Sequence, residues 1–344
     1  MKDRNEAAPR AVTMRDVAKA AGVSVSTVSH VVNDKKGARI GKDARDRVRQ
    51  AIQDLGYRPN AMAKNLVKGG SRFLGLVADA IASTPFAGQI IHGAQDEAWR
   101  HGYVLLVANT EGNNDAEAEA IAMMLEHKVR GILYSTWYHR EVAMPAGLAE
   151  ADSVLVNCFS AHGRVPAVVP DEVDGGREAT RMLLAEGHRR IGLVNTTTAS
   201  PAHDGRLLGY RQALAEAGIA FDPDLVMDAH PDQEGGYESV GRLLAQRVTG
   251  VFCHNDRVAM GLYDGLREKG ARVPEDIAVV GFDNQEVIAA HLRPPLSTVA
   301  LPHYDLGRVG VRVLLGLDEP AADGRVTIAC PPVRRASVST PSSI

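Results

Sequence analysis

From Phe73 onward the chain repeats one pattern, a short apolar run followed by a longer amphipathic stretch. FLGLVA (73–78), VLLVAN (104–109), GILYS (131–135), VLVN (154–157) and VVP (168–170) read as strands of a first series. IGLVN (191–195), LVMD (225–228), GVFCHN (250–255) and IAVVGFD (277–283) make a second. The stretches between them predict helices around 86–101, 115–127, 175–186, 206–217, 235–245 and 259–269. Strands that are apolar throughout, rather than alternating, belong to parallel sheets covered on both faces. Two such series predict two similar α/β lobes. Ligands in these folds sit beyond the C-terminal ends of the strands, so a cleft between the lobes is the expected pocket.

The first 72 residues follow a different pattern. Residues 1–12 read as a disordered arm, and 13–58 as three short helices. Met14–Ala21 is the first, with its turn at Gly22. The Ser24 hydroxyl caps the second helix, and Asn33 is expected to end it in the left-handed conformation. The third runs over Lys42–Leu55 and stops at Gly56. Val17, Ala18, Ala21, Val28, Val31 and Val32 supply small apolar contacts between the first two. Val48, Ala51, Ile52 and Leu55 recur at helical spacing in the third. Two short helices joined by a tight turn have the size of a helix-turn-helix. Arg58-Pro59-Asn60 then breaks the chain, Asn60 can cap one further short helix over 61–67, and Gly69-Gly70-Ser71 forms a flexible joint.

Composition adds an electrostatic split. The 344-residue chain has a net charge of only −3, but residues 1–72 hold 16 Lys and Arg against 7 Asp and Glu, a net of +9. The rest holds 23 against 35, a net of −12. A basic head on an acidic body is what results when one end meets a polyanion. Hydrophobic content of 45% is ample for the cores of two or three domains. Cys158, Cys253 and Cys330 lie far apart without a CxxC pair, as reduced core cysteines of a cytosolic protein do. No apolar run approaches the ~18 residues of a membrane span, and MKDRNEAAPR has no signal-like core, so a cytoplasmic location is expected. The chain contains no GxxxxGK[ST], HExxH or GxSxG motif and no clustered metal ligands; no catalytic residue, metal or cofactor is expected. Asp171 and Asp283 are two carboxylates that could flank a glycosidic bond, but nothing else in the sequence supports hydrolysis.

Six segments carry a family resemblance. DVAKAAGVSVSTVSHVVN, ARDRVRQAIQDLGYRPNAMAKNL, DGGREATRMLLAEGHRRIGLV, GRLLGYRQAL, GVFCHNDRVAMG and VPEDIAVVGFDN occur in order along essentially the whole chain. In these the chain resembles the LacI/GalR family of bacterial transcription repressors. The resemblance implies an α/β fold with an all-α helix-turn-helix head (13–58), a hinge helix and linker (59–71), and a two-lobed core like periplasmic sugar-binding proteins (72–344). Lobe 1 is expected over about 72–172 and 299–323, and lobe 2 over about 173–298 and 324–340, joined by three crossovers.

The resemblance also implies partners and site residues. A homodimer would bind a pseudo-palindromic double-stranded operator, with no membrane partner, through contacts made mostly by the helices around 86–101 and 115–127. Val25, Ser26 and His30 would read base edges in the major groove. Thr13, Ser24, Thr27, Ser29 and Asn33 would contact phosphates or cap helices. His30 stands where many relatives carry Arg, and Gly41 where many carry a Ser or Thr cap. Asn60 would cap the hinge helix, Ala63 would let two such helices approach, Lys64 would lie near the backbone, and Leu66 would wedge into the central base step. Phe86, Trp137, Asp171, Arg206, Asn255 and Asp283 would form the effector pocket, with Asp256 capping the helix that follows it. A sugar is the expected effector. The competing readings are a solute-binding protein without a regulatory role and a nucleobase-responsive, co-repressed regulator. PVRRASVSTPSSI carries no leucine heptad, so no tetramerising coil is expected.

Overall fold

The computed structural model describes residues 12–33, 38–57, 71–82, 84, 87–161, 163 and 165–341. The chain divides into two compact units, Met1–Arg72 and Phe73–Ile344. The hinge-helix residues Asn60, Ala63, Lys64 and Leu66 lie outside the described residues, as does all of the expected arm except Val12.

The first unit holds three helices, α1 (Met14–Ala21), α2 (Val25–Val32) and α3 (Lys42–Leu55). Thr13 starts α1 with a capping box: the Asp16 amide donates to the Thr13 hydroxyl, and the Thr13 amide donates back to the Asp16 carboxylate at 2.8 Å. Gly22 ends α1 at φ +64, a left-handed conformation that suits a residue without Cβ. Ser24 caps α2 by accepting the Thr27 amide at 3.1 Å. Asn33 ends α2 at φ −96 and not in the left-handed region, its amide donating to the Ser29 carbonyl at 3.0 Å. Val17, Ala18, Ala21, Val28, Val48, Ala51 and Tyr57 form the core of this unit.

The second unit contains two six-stranded sheets. The first is built from β1 (Phe73–Ala78), β2 (Val104–Asn109), β3 (Ile132–Glu141), β4 (Ser153–Phe159), β5 (Ala167–Pro170) and β11 (Arg325–Ile328), in the order β11-β5-β4-β3-β1-β2, all parallel. The second is built from β6 (Ile191–Thr196), β7 (Val226–Ala229), β8 (Gly250–Cys253), β9 (Ala278–Asp283), β10 (Ser297–Ala300) and β12 (Pro332–Val333). Its order is β12-β10-β9-β8-β6-β7, parallel except for the last short strand β12. Helices α4 (Gly88–Arg100), α5 (Asn114–Glu126) and α10 (His303–Leu314) flank the first sheet. Helices α6 (Glu172–Ala185), α7 (Pro201–Glu216), α8 (Gln233–Ala245) and α9 (Asp256–Glu268) flank the second.

The chain passes between the sheets after β5, between β10 and α10, and between β11 and β12. Two lobe boundaries differ from the sequence reading. Arg325–Ile328 pairs in parallel with Ala167–Pro170, so this stretch closes the first sheet and not the second. Ser297–Ala300 pairs with β9 over its whole length, so the second crossover falls at Leu301 and Pro302. All three cysteines are buried and free. Among the described residues, no helix is long and apolar enough to cross a membrane.

Candidate functional site

A cavity of about 200 Å³ opens where the two lobes face each other. Trp137, Tyr138 and His139 on β3 wall it from the first lobe. Thr196, Ser200, Arg206, His254, Asn255, Arg257 and Asp283 wall it from the second, and Glu172 and Leu301 come from the crossovers. Parallel strands deliver the polar residues. Thr196 ends β6, His254 and Asn255 follow β8, and Asp283 ends β9, so all stand at C-terminal strand ends.

Arg206 is the centre of this wall. It is 3% exposed and its guanidinium stacks 3.6 Å over the Phe282 ring. Its Nε donates to Glu172 Oε2 at 2.9 Å, one Nη donates to the His254 carbonyl, and the other lies 3.9 Å from Asp283 Oδ1. Glu172 and Arg206 meet because α6 and α7 cross very closely. A Cβ on Gly209 would lie 2.1 Å from the Val173 carbonyl oxygen, and one on Gly176 would lie 2.5 Å from that of Arg206. Glu172 also faces His139, whose Nδ1 lies 3.4 Å from Oε1. That is a close contact without hydrogen-bond geometry. Burial opposes the Glu172 charge, but Arg206 and His139 outweigh it and hold the carboxyl below its ordinary value.

Asp283 has the opposite balance. Burial pushes it up to about 6, with Arg206 pulling back. Its backbone sits at φ +96, followed by Asn284 at φ +54. Non-glycine residues held there cost on the order of 1–3 kcal/mol, strain that tends to be retained where a side chain must be aimed. The Gln285 side-chain Nε2 donates to Asp283 Oδ2 at 2.9 Å. His254 is held neutral by burial and the nearby Arg206, and its Nδ1 faces Asn195 Oδ1 at 3.2 Å.

The structure thus brings Trp137, Arg206, Asn255 and Asp283 onto one cavity, as the sequence suggests. Asp171 is different. It caps α6, its carboxylate accepting the Asp174 amide at 2.9 Å, and it is not part of the cavity wall. The first helical residue, Glu172, faces the cavity in its place. Phe86 lies outside the described residues. Asp256 does not cap α9. Asn255 does, accepting the Val258 amide at 2.9 Å while its own amide donates to the Pro231 carbonyl at 2.9 Å. Glu172, His139 and His254 escaped the sequence reading.

In the first unit, Ser24, Val25 and Ser26 form an exposed cluster at the start of α2, Val25 being 42% exposed. His30, Thr27, Ser29 and Asn33 are half-buried along the same helix and its end. The Thr13 hydroxyl is committed to the capping box. An isolated valine exposed at a helix N-terminus, beside two hydroxyls, is a surface suited to base edges.

A helix-turn-helix followed by a two-lobed body with a cavity between its lobes defines a ligand-responsive DNA-binding regulator. The pattern of the lacI family of bacterial regulatory proteins matches residues 13–60, and a periplasmic binding protein-like domain matches 180–338. The chain is 32% identical over 306 residues to the ribose operon repressor of Haemophilus influenzae, spanning 88% of this chain and 91% of that one. It is 33% identical over 311 residues to the HTH-type transcriptional repressor PurR of Pasteurella multocida, spanning 89% and 91%. The solved lac repressor dimer bound to operator and the anti-inducer ONPF matches at 25% identity with a TM-score of 0.78, over 96% of this chain and 100% of that one. The regulator CelR in its cellobiose complex matches at 29% identity with a TM-score of 0.64, over 95% and 99%. The chain belongs to the LacI family: it is a DNA-binding transcriptional repressor with an effector-binding domain.

Proposed function

We propose that this repressor controls genes of carbohydrate use, and that a sugar in the cavity between the lobes sets its operator affinity. The observation that carries this reading is the convergence of a carboxylate, an amide and a guanidinium (Asp283, Asn255, Arg206) opposite the Trp137 ring. Hydroxyls both donate and accept, and this set offers both, with Thr196 and Ser200 adding more. A flat nucleobase would draw chiefly on the apolar part of the wall, whereas this polar set matches the several hydroxyls of a sugar.

Two subunits place two heads on a pseudo-palindromic operator, with Val25, Ser26 and His30 at the bases. The dimer surface is supported by exposed apolar residues on the outer elements of the first lobe: Trp99 on α4, Met123 on α5, and Val104, Leu106 and Val107 on the edge strand β2. Single exposed apolar residues are ordinary, but a grouped set on one edge marks a contact surface. Sugar binding changes the lobe angle and so the spacing of the hinge segments, acting as an inducer. Couplings of this type are typically about 5–150-fold in affinity.

Asp283→Ala should bind operator like the wild type but lose its response to sugar. Operator titrations with and without the sugars that raise the melting temperature in a screen of sugars and nucleobases read this directly. A retained response would place the pocket elsewhere. Leu66→Ala should weaken specific operator binding at least tenfold while sparing the salt-sensitive binding to random DNA. Equal weakening of both, in fluorescence anisotropy at matched salt, would remove the wedge role.

A further inference from the structure

The geometry points to Asp79 as the residue that sets the first lobe's wall of the cavity, by holding both ends of the segment Trp137–Arg140. Trp137, Tyr138 and His139 are the first lobe's contribution to that wall, and the ladders of β3 leave them out. β3 pairs with β1 only as far as Ser135, and its pairing with β4 breaks off there and resumes at Arg140. Asp79, the residue after β1, takes over. Its Oδ1 accepts the Trp137 amide at 2.9 Å and the Ala80 amide at 2.5 Å. Its Oδ2 accepts Arg140 Nη2 at 3.1 Å. The three wall residues therefore run from one tied point to the other, and both ties belong to a single side chain that is 5% exposed. Burial raises the Asp79 carboxyl above its ordinary value, with the Ala80 amide, Arg140 and the Trp137 amide pulling it back.

The other flank of the segment is fixed from β4. The Asn157 side-chain amide donates to the Thr136 carbonyl at 3.0 Å, and the Thr136 hydroxyl donates to the Tyr138 carbonyl at 2.8 Å. Within the segment the Arg140 guanidinium lies 5.2 Å over the Tyr138 ring, which meets the Trp137 ring edge-on at 4.8 Å. Carboxylate, guanidinium and the two rings form a closed circuit, so releasing the carboxylate releases the rings. The consequence for binding rests on the cavity being the effector site. Arg206, Asn255 and Asp283 belong to the second lobe, and Trp137 faces them from a segment that no ladder fixes. How far the Trp137 ring reaches into the cleft, and so which effector ring fits, depends on Asp79. Asp79 is not part of the cavity wall and acts through this segment as a positioning residue.

The test uses the full-length protein labelled with fluorotryptophan. The chain has two tryptophans, so fluorine NMR shows two resonances, and Trp137→Phe assigns them. In the free protein, Asp79→Ala should move and broaden the Trp137 resonance and leave unchanged that of Trp99, which is 62% exposed on α4. Asp79→Asn keeps an oxygen for the Trp137 amide and should hold the resonance near its wild-type position. D-Ribose, D-glucose, D-galactose and cellobiose are then titrated calorimetrically. A sugar that binds the wild type should bind Asp79→Ala about tenfold more weakly, with Asp79→Asn recovering part of the loss. Arg140→Met, which releases only the far end, should weaken the same sugar severalfold, and it stands in for Asp79→Ala should that variant not fold. An unmoved Trp137 resonance, or equal movement of both tryptophan resonances, overturns the positioning role. A moved resonance with unchanged sugar affinity overturns its bearing on binding. If the wild type binds none of these sugars, the sugar reading falls, and the resonances of the free protein alone support or overturn the role of Asp79.

Discussion

Arg206→Ala should destabilise the two-lobed body by about 3–5 kcal/mol, the usual cost of removing one partner from a buried ion pair. The guanidinium is 3% exposed and compensates two carboxylates, Glu172 at 2.9 Å and Asp283 at 3.9 Å. It also satisfies the His254 carbonyl and covers the Phe282 ring. Alanine leaves all four without it. The loss should depend on pH with a definite sign. Without Arg206, Glu172 remains buried with only His139 beside it, so its folded-state pKa rises above the unfolded value. A raised carboxylate adds stability at low pH that is lost as pH rises, so the variant should be less impaired at pH 5 than at pH 8. Urea denaturation of both proteins at the two pH values measures this. The double variant Arg206→Met/Glu172→Met should recover much of the stability, because apolar replacement of a whole buried pair is often neutral. A loss below about 1 kcal/mol in Arg206→Ala would mean that water reaches the pair and screens it.

The strands were the most legible part of the fold. FLGLVA and VLLVAN coincide with β1 and β2, since runs of six apolar or small residues leave little choice of period. What the runs could not show is position in the sheet. VLLVAN reads as fully buried, yet β2 is an edge strand and exposes Val104, Leu106 and Val107. The sequence pattern places the starts of α6, α7 and α8 near Gly175, Arg206 and Gly235, whereas the helices start at Glu172, Pro201 and Gln233. Gly176, Gly235 and Gly236 lie inside helices where a neighbouring backbone passes too close for a Cβ; at Gly236 it would meet the Val258 carbonyl oxygen at 1.9 Å.

The site was legible where a motif places a residue at the end of a strand or the start of a helix, as with Asn255 and Asp283. It was not legible where two distant segments complete each other. His139 sits in TWYHRE, a polar stretch that extends β3 beyond GILYS across a register shift between Ser135 and Arg140. Nothing in a period-2 pattern marks such an extension. Its partner Glu172 differs from the expected Asp171 by one position. In a helix start that single residue separates a side chain turned back onto the backbone from one turned outward into the cavity.

Asp256→Asn should flatten the pH dependence of stability. Asp256 is fully buried, and burial together with the nearby Asp283 pushes its carboxyl up to about 8. The unfolded value is about 4. Between these values the folded state holds a proton that the unfolded state has released, so stability falls as pH rises and is lowest above about 8. Asp283, raised to about 6, adds a contribution of the same sign at lower pH. The surroundings accommodate a neutral group. The Gln285 amide donates to Oδ2 at 2.6 Å, and the Thr298 hydroxyl, 2.7 Å from Oδ1, can turn to the Val299 carbonyl at 3.5 Å and accept from a protonated Asp256 instead. Asparagine reproduces that pattern, its oxygen toward Gln285 and its amide toward Thr298. The wild type should therefore lose melting temperature between about pH 6.5 and 8, where Asp256 still holds its proton and the buried neutral His254, which favours folding as pH rises toward 6.5, no longer opposes it. Asp256→Asn should gain on the wild type progressively from pH 5 to pH 9 and show little fall between about 6.5 and 8. A variant that melts below the wild type at every pH would show that Asp256 is charged in the folded protein, with Thr298 and Gln285 donating to an anion.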